Sequence, residues 1–256
     1  MKELKLSLEN YLHEGVVKLE GVFSQNDIET LEMHLRDHIG VEKRGVVYEQ
    51  DGVTVRGIHG IHLYHEFFST LVKQEKLLGI VRKTLGDNCY VHQSKVNVKK
   101  KGVGEFWPWH QDFVFWHKND HIEKEELVNI AIFLDDVDFI SGPLWFIPNS
   151  HTQGNLCQNI TLEAQPDKSW SNDVASALTF QVPIEEVDKQ IQMNGVAPAI
   201  GKKGDVIVFH PQTIHGSPNN LGPTDRRLLI LTYNKVSNVS KSLSSRPEFL
   251  CSPVTY

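Results

Sequence analysis

From Tyr90 onward the chain breaks into short β-like runs, 90–98, 128–134, 144–147, 204–209 and 228–233, parted by turns such as Ser141-Gly142-Pro143. These runs do not alternate with helices in the βαβ manner of a parallel sheet. Several short strands joined by Gly- and Pro-bearing turns predict a mainly β fold: a double-stranded β-helix, the jelly roll of cupin-like proteins. Tyr90 to Val98 alternates, with Val91, Gln93, Lys95 and Asn97 on one face and His92, Ser94, Val96 and Val98 on the other. The earlier part is helical in texture. Ser24-Gln25-Asn26-Asp27 reads as a capping-box-like start, and Ile28, Leu31 and Leu35 follow at helical spacing. A second helical stretch covers 66–84, with Phe67, Leu71, Leu78 and Val81 on one face. Between them, Val46-Val47-Tyr48 and Val53-Thr54-Val55 flank Gln50-Asp51-Gly52, a hairpin signal.

A polar interruption at 152–196 carries Pro166, Asp167, Ser169 and Asn172 and then a helical stretch; an insertion of this length predicts a lid over a site. The expected organisation is one domain, 1–256, with a helical and hairpin part at 1–88 and a jelly-roll core at 89–240 that holds the 152–196 insertion.

The chemistry concentrates in Trp107-Pro108-Trp109-His110-Gln111-Asp112-Phe113 and Ile214-His215-Gly216-Ser217. Strand periodicity puts His110 and Asp112 on one face, able to grip one ion. His215 completes two imidazoles and a carboxylate, the facial triad of non-haem Fe(II) oxygenases. A His-x-acid pair alone proves little in a chain with 13 His and 32 acidic residues, and His121-Ile122-Glu123 is another. His210, in Phe209-His210-Pro211, competes with His215, but it ends an apolar strand. His215 sits beside Gly216, where the backbone can approach a ligand. Arg226 and Arg227 open the run Leu228-Leu229-Ile230-Leu231, and an arginine there can clamp a carboxylate with two parallel hydrogen bonds. Alternation alone does not choose between them.

Composition excludes some roles. A net charge of −6 and a pI near 6.1 argue against a general nucleic-acid binder. The short basic run Lys99-Lys100-Lys101 reads as solvated. Cys89, Cys157 and Cys251, odd in number and widely spaced, suit reduced thiols rather than a disulfide framework. Met1 to Val17 lacks the apolar core of a signal peptide, and no run reaches membrane-spanning length, so a cytoplasmic protein without nucleic-acid or membrane partners is expected.

The order His-x-Asp, His-Gly-Ser, then an arginine entering the last strand resembles the phytanoyl-CoA dioxygenase superfamily of Fe(II)/2-oxoglutarate oxygenases. His92-Gln93-Ser94-Lys95-Val96-Asn97, Trp116-His117 and Tyr233-Asn234-Lys235-Val236-Ser237-Asn238 are similar to the small-metabolite branch that includes ectoine hydroxylase. Asp51-Gly52, Thr54-Val55-Arg56, Trp109 to Phe113, Val128-Asn129, Phe209-His210-Pro211 and Leu228-Leu229-Ile230 are similar to leucine 5-hydroxylases of griselimycin-type peptide biosynthesis.

The resemblance implies that His110, Asp112 and His215 bind iron and that Arg226 holds the distal carboxylate of 2-oxoglutarate. It adds Asn97, Ser217 and Trp107 around the co-substrate, and Gln93 and Trp116 along the substrate site. It also implies Fe(II), 2-oxoglutarate and O2 as requirements, with ascorbate stimulatory. Departures matter: where ectoine hydroxylases carry a Ser and a Glu-Thr pair, this chain has Gln111 and Val114-Phe115, a more apolar lining. Arg227 stands where the leucine enzymes carry an acid, and His59 where they carry a tyrosine. Arg56, with His59 nearby, is the candidate for a substrate carboxylate. The expected function is hydroxylation of a small free amino acid, first an aliphatic one such as leucine, in natural-product biosynthesis. The alternatives are another small metabolite, with hydroxylation, desaturation or cyclisation, and a metal-binding cupin without turnover. No oligomeric state follows.

Overall fold

A computed structural model describes residues 9–49, 51–86, 88–160, 173–174, 178–242, 244 and 246–253. Among the described residues thirteen strands run in chain order: β1 (Val16–Leu19), β2 (Val46–Tyr48), β3 (Val55–His59), β4 (Cys89–Lys99), β5 (Trp107–His110), β6 (Leu127–Phe133), β7 (Trp145–Phe146), β8 (Gln158–Asn159), β9 (Phe180–Gln181), β10 (Ala197–Pro198), β11 (Val206–Phe209), β12 (His215–Ser217) and β13 (Arg226–Lys235). The major sheet has the order β1-β11-β6-β13-β4-β3-β2 and the minor sheet β10-β7-β12-β5; the pairings within both are antiparallel. Two facing antiparallel sheets with this crossover order make the expected jelly roll.

The major sheet is covered on both faces, which is why β6, apolar but for Asn129, is buried throughout. Its outer face meets the helices Gln25–Val41, Glu66–Leu71 and Glu75–Thr84, where Ile28, Leu31, Leu35, Phe68 and Leu77 pack with Val96, Ile130, Val208 and Leu229. Its inner face meets the minor sheet through Ala131, Phe133, Phe146, Phe209, Leu228 and Ile230. The capping box at Ser24 forms as expected, with reciprocal bonds between Ser24 and Asp27.

Several elements depart from the sequence reading. The stretch 66–84 is two helices, Glu66–Leu71 and Glu75–Thr84, because Gln74 is extended and caps the second. The second hairpin strand begins at Val55, not Val53, since Asp51 Oδ1 accepts the Val53 and Thr54 N–H groups and keeps both in the turn. Lys99 is not solvated. It is 1% exposed and donates to the carbonyls of Glu105, Ser217 and Pro218. Within the 152–196 insertion, β8 pairs with β9 and a helix spans Ile184–Asn194, whereas Pro166, Asp167, Ser169 and Asn172 lie outside the described residues. Among the described residues no helix is long and apolar enough to cross a membrane.

Candidate active site

β5 and β12 are neighbours in the minor sheet, and their register sets His110 opposite His215. The imidazoles lie 4.2 Å apart, centroid to centroid. Asp112 arrives by a route that strand periodicity does not describe. β5 ends at His110, and Asp112, with φ −67° and ψ −35°, caps a helix spanning Phe113–Asn119. Its carboxylate oxygens sit 3.8 Å from His110 Nε2 and 3.7 Å from His215 Nε2. One ligand atom from each of His110, Asp112 and His215 therefore falls within 4.8 Å of the others, and all three residues are buried. His210 stands apart: its Nδ1 accepts the Gln212 N–H, and its ring packs against His151.

Neighbouring groups fix these side chains in ligand-ready states. His110 Nδ1 faces the Pro108 carbonyl at 2.7 Å and His215 Nδ1 faces the Thr213 carbonyl at 2.9 Å. A carbonyl can only accept, so each Nδ1 carries the proton and each Nε2 presents a lone pair. Burial, then the neighbouring His215, pulls the His110 pKa down to about 3, and burial lowers His215 as well. Burial opposes the charge on Asp112, yet Lys95, the two imidazoles and the Asn129 amide outweigh it and hold the carboxyl below its usual range. Asn129 Nδ2 donates to Asp112 Oδ2 at 2.9 Å, and Thr232 Oγ1 donates to Asn129 Oδ1 at 2.7 Å. Two neutral imidazoles and an ionised carboxylate form the donor set that a divalent metal requires.

Around this cluster lies a cavity lined by His59, Gln93, Lys95, Asn97, Trp107, Phe115 and Trp116 and, on the far side, by Asp173, Leu178 and Arg246. The structure thus brings six of the expected residues, Trp107, Asn97, Gln93, Trp116, His59 and the metal cluster's Asp112, to one wall with His110 and His215. Gln93 spends its amide N–H on the Leu250 carbonyl. His59 Nδ1 is buried without a partner.

Arg226 is fully buried at the start of β13, on the face that carries Leu228 and Ile230, and Ile230 lines the cavity. Its Nη2 donates to the Gly142 carbonyl, while Nε and Nη1 have no partner. Ser217 Oγ is likewise buried and unpartnered. Burial, foremost, pulls the Arg226 pKa down to about 9, with Asp135 opposing the shift and Arg56 adding to it. A buried guanidinium with two idle N–H groups is costly unless a ligand completes it, and a carboxylate does so. Arg227 points the other way, donating through Nε and Nη2 to Asp135, with Glu32 as a further partner.

Arg56 does not reach the cavity wall. It lies inside β3, where Glu49 Oε2 pairs with its Nη1 at 2.9 Å, and its guanidinium stacks 3.9 Å from the Trp107 ring centroid. Val114 is also turned away, packing with Leu178, while Phe115 lines the cavity. Gln111, between the two expected ligands, ties the chain together: its amide donates to Gly154 and Gln212 carbonyls and accepts the Leu156 N–H.

Sequence reasoning missed Arg246 and Asp173, the charged pair across the cavity, with Arg246 Nη1 3.8 Å from Asp173 Oδ2. In the sequence Arg246 lies between Ser245 and Pro247 and Asp173 in the polar insertion, so no periodicity marks either. A second group of potential metal ligands, His92, Asp120 and Cys251, is closed to a metal because the Asp120 carboxylate is already paired with Arg246.

Comparison with known proteins agrees with this geometry. The phytanoyl-CoA dioxygenase family model matches residues 11–228. The L-proline trans-4-hydroxylase of Streptomyces griseoviridis is 36% identical over 242 residues, 94% of this chain and 90% of that protein. The crystal structure of EctD from S. alaskensis with 2-oxoglutarate and 5-hydroxyectoine superposes with a TM-score of 0.78 at 26% identity, covering 96% of this chain and 82% of that one. The same enzyme with bound Fe gives 0.78 at 27% identity, covering 95% and 81%.

Proposed function

The chain belongs to the phytanoyl-CoA dioxygenase family, and from that premise we propose that it hydroxylates a free amino acid with an apolar side chain. It is a dioxygenase dependent on Fe(II), 2-oxoglutarate and O2, of the kind that hydroxylates amino acids or other small metabolites. In the proposed arrangement His110, Asp112 and His215 hold the iron. Arg226 takes the distal carboxylate of 2-oxoglutarate, with Asn97, Ser217 and Trp107 beside it. The idle N–H groups of Arg226 and the unpartnered Ser217 hydroxyl support this placement. Once loaded, the centre couples oxidative decarboxylation of 2-oxoglutarate, to succinate and carbon dioxide, to insertion of one oxygen atom into a substrate C–H bond.

The protein residues supply position and dryness. Asn129 and Thr232 hold the Asp112 carboxylate in place, and the two backbone carbonyls fix the imidazole rings. Phe115, Trp116 and Leu178 exclude water from the cavity and offer an apolar wall to a side chain.

The observation that carries the amino-acid reading is the opposed pair Arg246 and Asp173, both side chains 5% exposed. Lys95, the other cation on the wall, is 3.8 Å from Asp112 and serves the metal end. A zwitterion can set its carboxylate at Arg246 Nη1, which the pair with Asp120 leaves over, and its ammonium at Asp173, whose carboxylate also accepts from Asn119 and Thr179. A ligand lacking one of these charges forgoes that half of the recognition. Gln93, Trp116 and His59 complete the substrate side. Similarity to a proline hydroxylase makes proline the first substrate to test and leucine the second. Phe115, where ectoine hydroxylases are polar, weighs against ectoine. A role in natural-product biosynthesis and a cytoplasmic setting, in which cysteines stay reduced, complete the proposal.

The test is a screen of free amino acids with the Fe(II)-loaded enzyme, 2-oxoglutarate and ascorbate, read by mass spectrometry. L-Proline or L-leucine should gain one oxygen and stimulate succinate release, and the methyl ester of the active one should be a poor substrate. If no amino acid stimulates turnover and another small metabolite does, the amino-acid reading fails.

A further inference from the structure

The carboxylate of Asp120 takes no part in the site just described, yet it is the most heavily bonded acid near it. It is 0% exposed and caps the C-terminal end of the Phe113–Asn119 helix. Its Oδ1 accepts from Arg246 Nε at 2.8 Å and from Ser244 Oγ at 2.9 Å; its Oδ2 accepts from Arg246 Nη2 and from His92 Nε2 at 3.0 Å. His92, on β4, is itself fully buried and edge-on to Trp116, a cavity residue. Burial works against the charge on Asp120, but these bonds, with His92 and Arg246 foremost, hold its pKa down to about 2.

Arg246 belongs to no helix or strand. It sits in the C-terminal part of the chain, beyond residue 228 where the family match ends, and lines the cavity. That segment is stapled to the jelly roll by Gln93, which donates to the Leu250 carbonyl, and by the Ser252 N–H, which donates to the His92 carbonyl. These bonds fix the backbone of the segment but not the long Arg246 side chain. Its direction is set by the parallel pair on Asp120, which occupies Nε and Nη2 and leaves Nη1 facing Asp173.

We infer that Asp120 is a positioning residue for substrate: with His92 and Ser244 it aims Arg246 so that Nη1 is presented to the substrate carboxylate. The inference rests on the reading of Arg246 as the carboxylate seat. Fixing a guanidinium by a bidentate carboxylate removes most of its rotamer freedom before substrate arrives, so less ordering is left for binding. Asparagine at 120 would keep the shape but set an amide NH2 against an N–H donor of Arg246, turning a pairing into a repulsion.

The experiment uses the full-length, Fe(II)-loaded enzyme with L-proline, or with L-leucine if proline gives no turnover, and with the corresponding amino-acid amide, which lacks the carboxylate charge. Asp120→Asn should raise the KM for the amino acid about tenfold to a hundredfold. The KM for 2-oxoglutarate and the low turnover of the amide should stay where they are in the native enzyme. A carboxylate-specific loss of this kind is not produced by general loosening, which would weaken acid and amide alike. An unchanged amino-acid KM, or equal losses on acid and amide, overturns the inference.

Should Asp120→Asn fail to fold, Ser244→Ala removes one bond to the same carboxylate and should raise the amino-acid KM in the same selective way by a smaller factor; no rise overturns the inference. Arg246→Gln separates the two layers. If it leaves the amino-acid KM unchanged, the carboxylate seat itself is misassigned. If it raises that KM and Asp120→Asn does not, only the positioning role falls.

Discussion

Replacing Arg226 with methionine should make the ligand-free protein more stable while destroying its hold on 2-oxoglutarate. Arg226 is fully buried, bonds only the Gly142 carbonyl through Nη2, and carries two idle N–H groups. Desolvation of that charge is uncompensated until a ligand arrives, and exchange of such a group for an apolar side chain of similar volume is commonly neutral or stabilising by ~1–4 kcal/mol. For a domain of this length that corresponds to a rise of roughly 2–16 °C in Tm at about 2–4 °C per kcal/mol. The co-substrate tells the opposite story. Losing one partner of a buried, hydrogen-bonded charge pair costs ~2–5 kcal/mol, so the apparent constant for 2-oxoglutarate should rise about thirtyfold or more. In the native protein, 2-oxoglutarate at about a hundred times its Kd should add ~2.7 kcal/mol, and Arg226→Met should show none of that shift.

Arg227→Met is the control, because its side chain is 25% exposed and engaged with Asp135 and Glu32. It should lower Tm by a few degrees and leave the 2-oxoglutarate shift intact. Differential scanning fluorimetry with and without 2-oxoglutarate reads both variants. Retention of the shift by Arg226→Met, or its loss in Arg227→Met, refutes the assignment.

Asn129→Ala removes the amide that donates to Asp112 Oδ2; it should weaken Fe(II) binding by about ten- to a hundredfold in a competition titration, and unaltered affinity would show that the carboxylate needs no such support. Burial, foremost, lowers the pKa of His59 to about 3 and of His62 and His210 to about 4, so the folded protein keeps them neutral while the unfolded chain protonates near 6.5. The unfolded state then binds more protons below that pH. Stability should therefore be fully present above about pH 7 and fall by ~1.4 kcal/mol per histidine by pH 5.5, roughly 4 kcal/mol from these three, visible in urea melts of metal-free protein; a flat profile from pH 7 to 5.5 would contradict it.

The sequence made the jelly roll legible because its strands are buried on two faces and punctuated by turns; residues 130–133 of β6 and 228–231 of β13 are apolar and lie side by side. The alternation of β4 was equally readable, and it delivers Gln93, Lys95 and Asn97 to the cavity together. Asp112 was placed on a strand face, but the strand stops at His110 and a helix cap brings the carboxylate to the two imidazoles. Arg56 misled because a strand arginine near a turn looks available, and only tertiary structure reveals that Glu49 and Trp107 have already engaged it. Lys99 was hidden in a basic run for the converse reason: three carbonyls, distant in the chain or in a turn, converge on it. Arg246 and Asp173 lie outside the runs whose period the sequence shows, so no direction could be read for either side chain.

Anomalous scattering at the iron edge, from crystals grown anaerobically with Fe(II) and 2-oxoglutarate, tests the metal centre most directly. The account predicts a single strong peak bonded to Nε2 of His110, Nε2 of His215 and a carboxylate oxygen of Asp112, with 2-oxoglutarate reaching from that ion to Arg226. A peak among His92, Asp120 and Cys251, or at His210, with the His110–Asp112–His215 cluster empty, would contradict it.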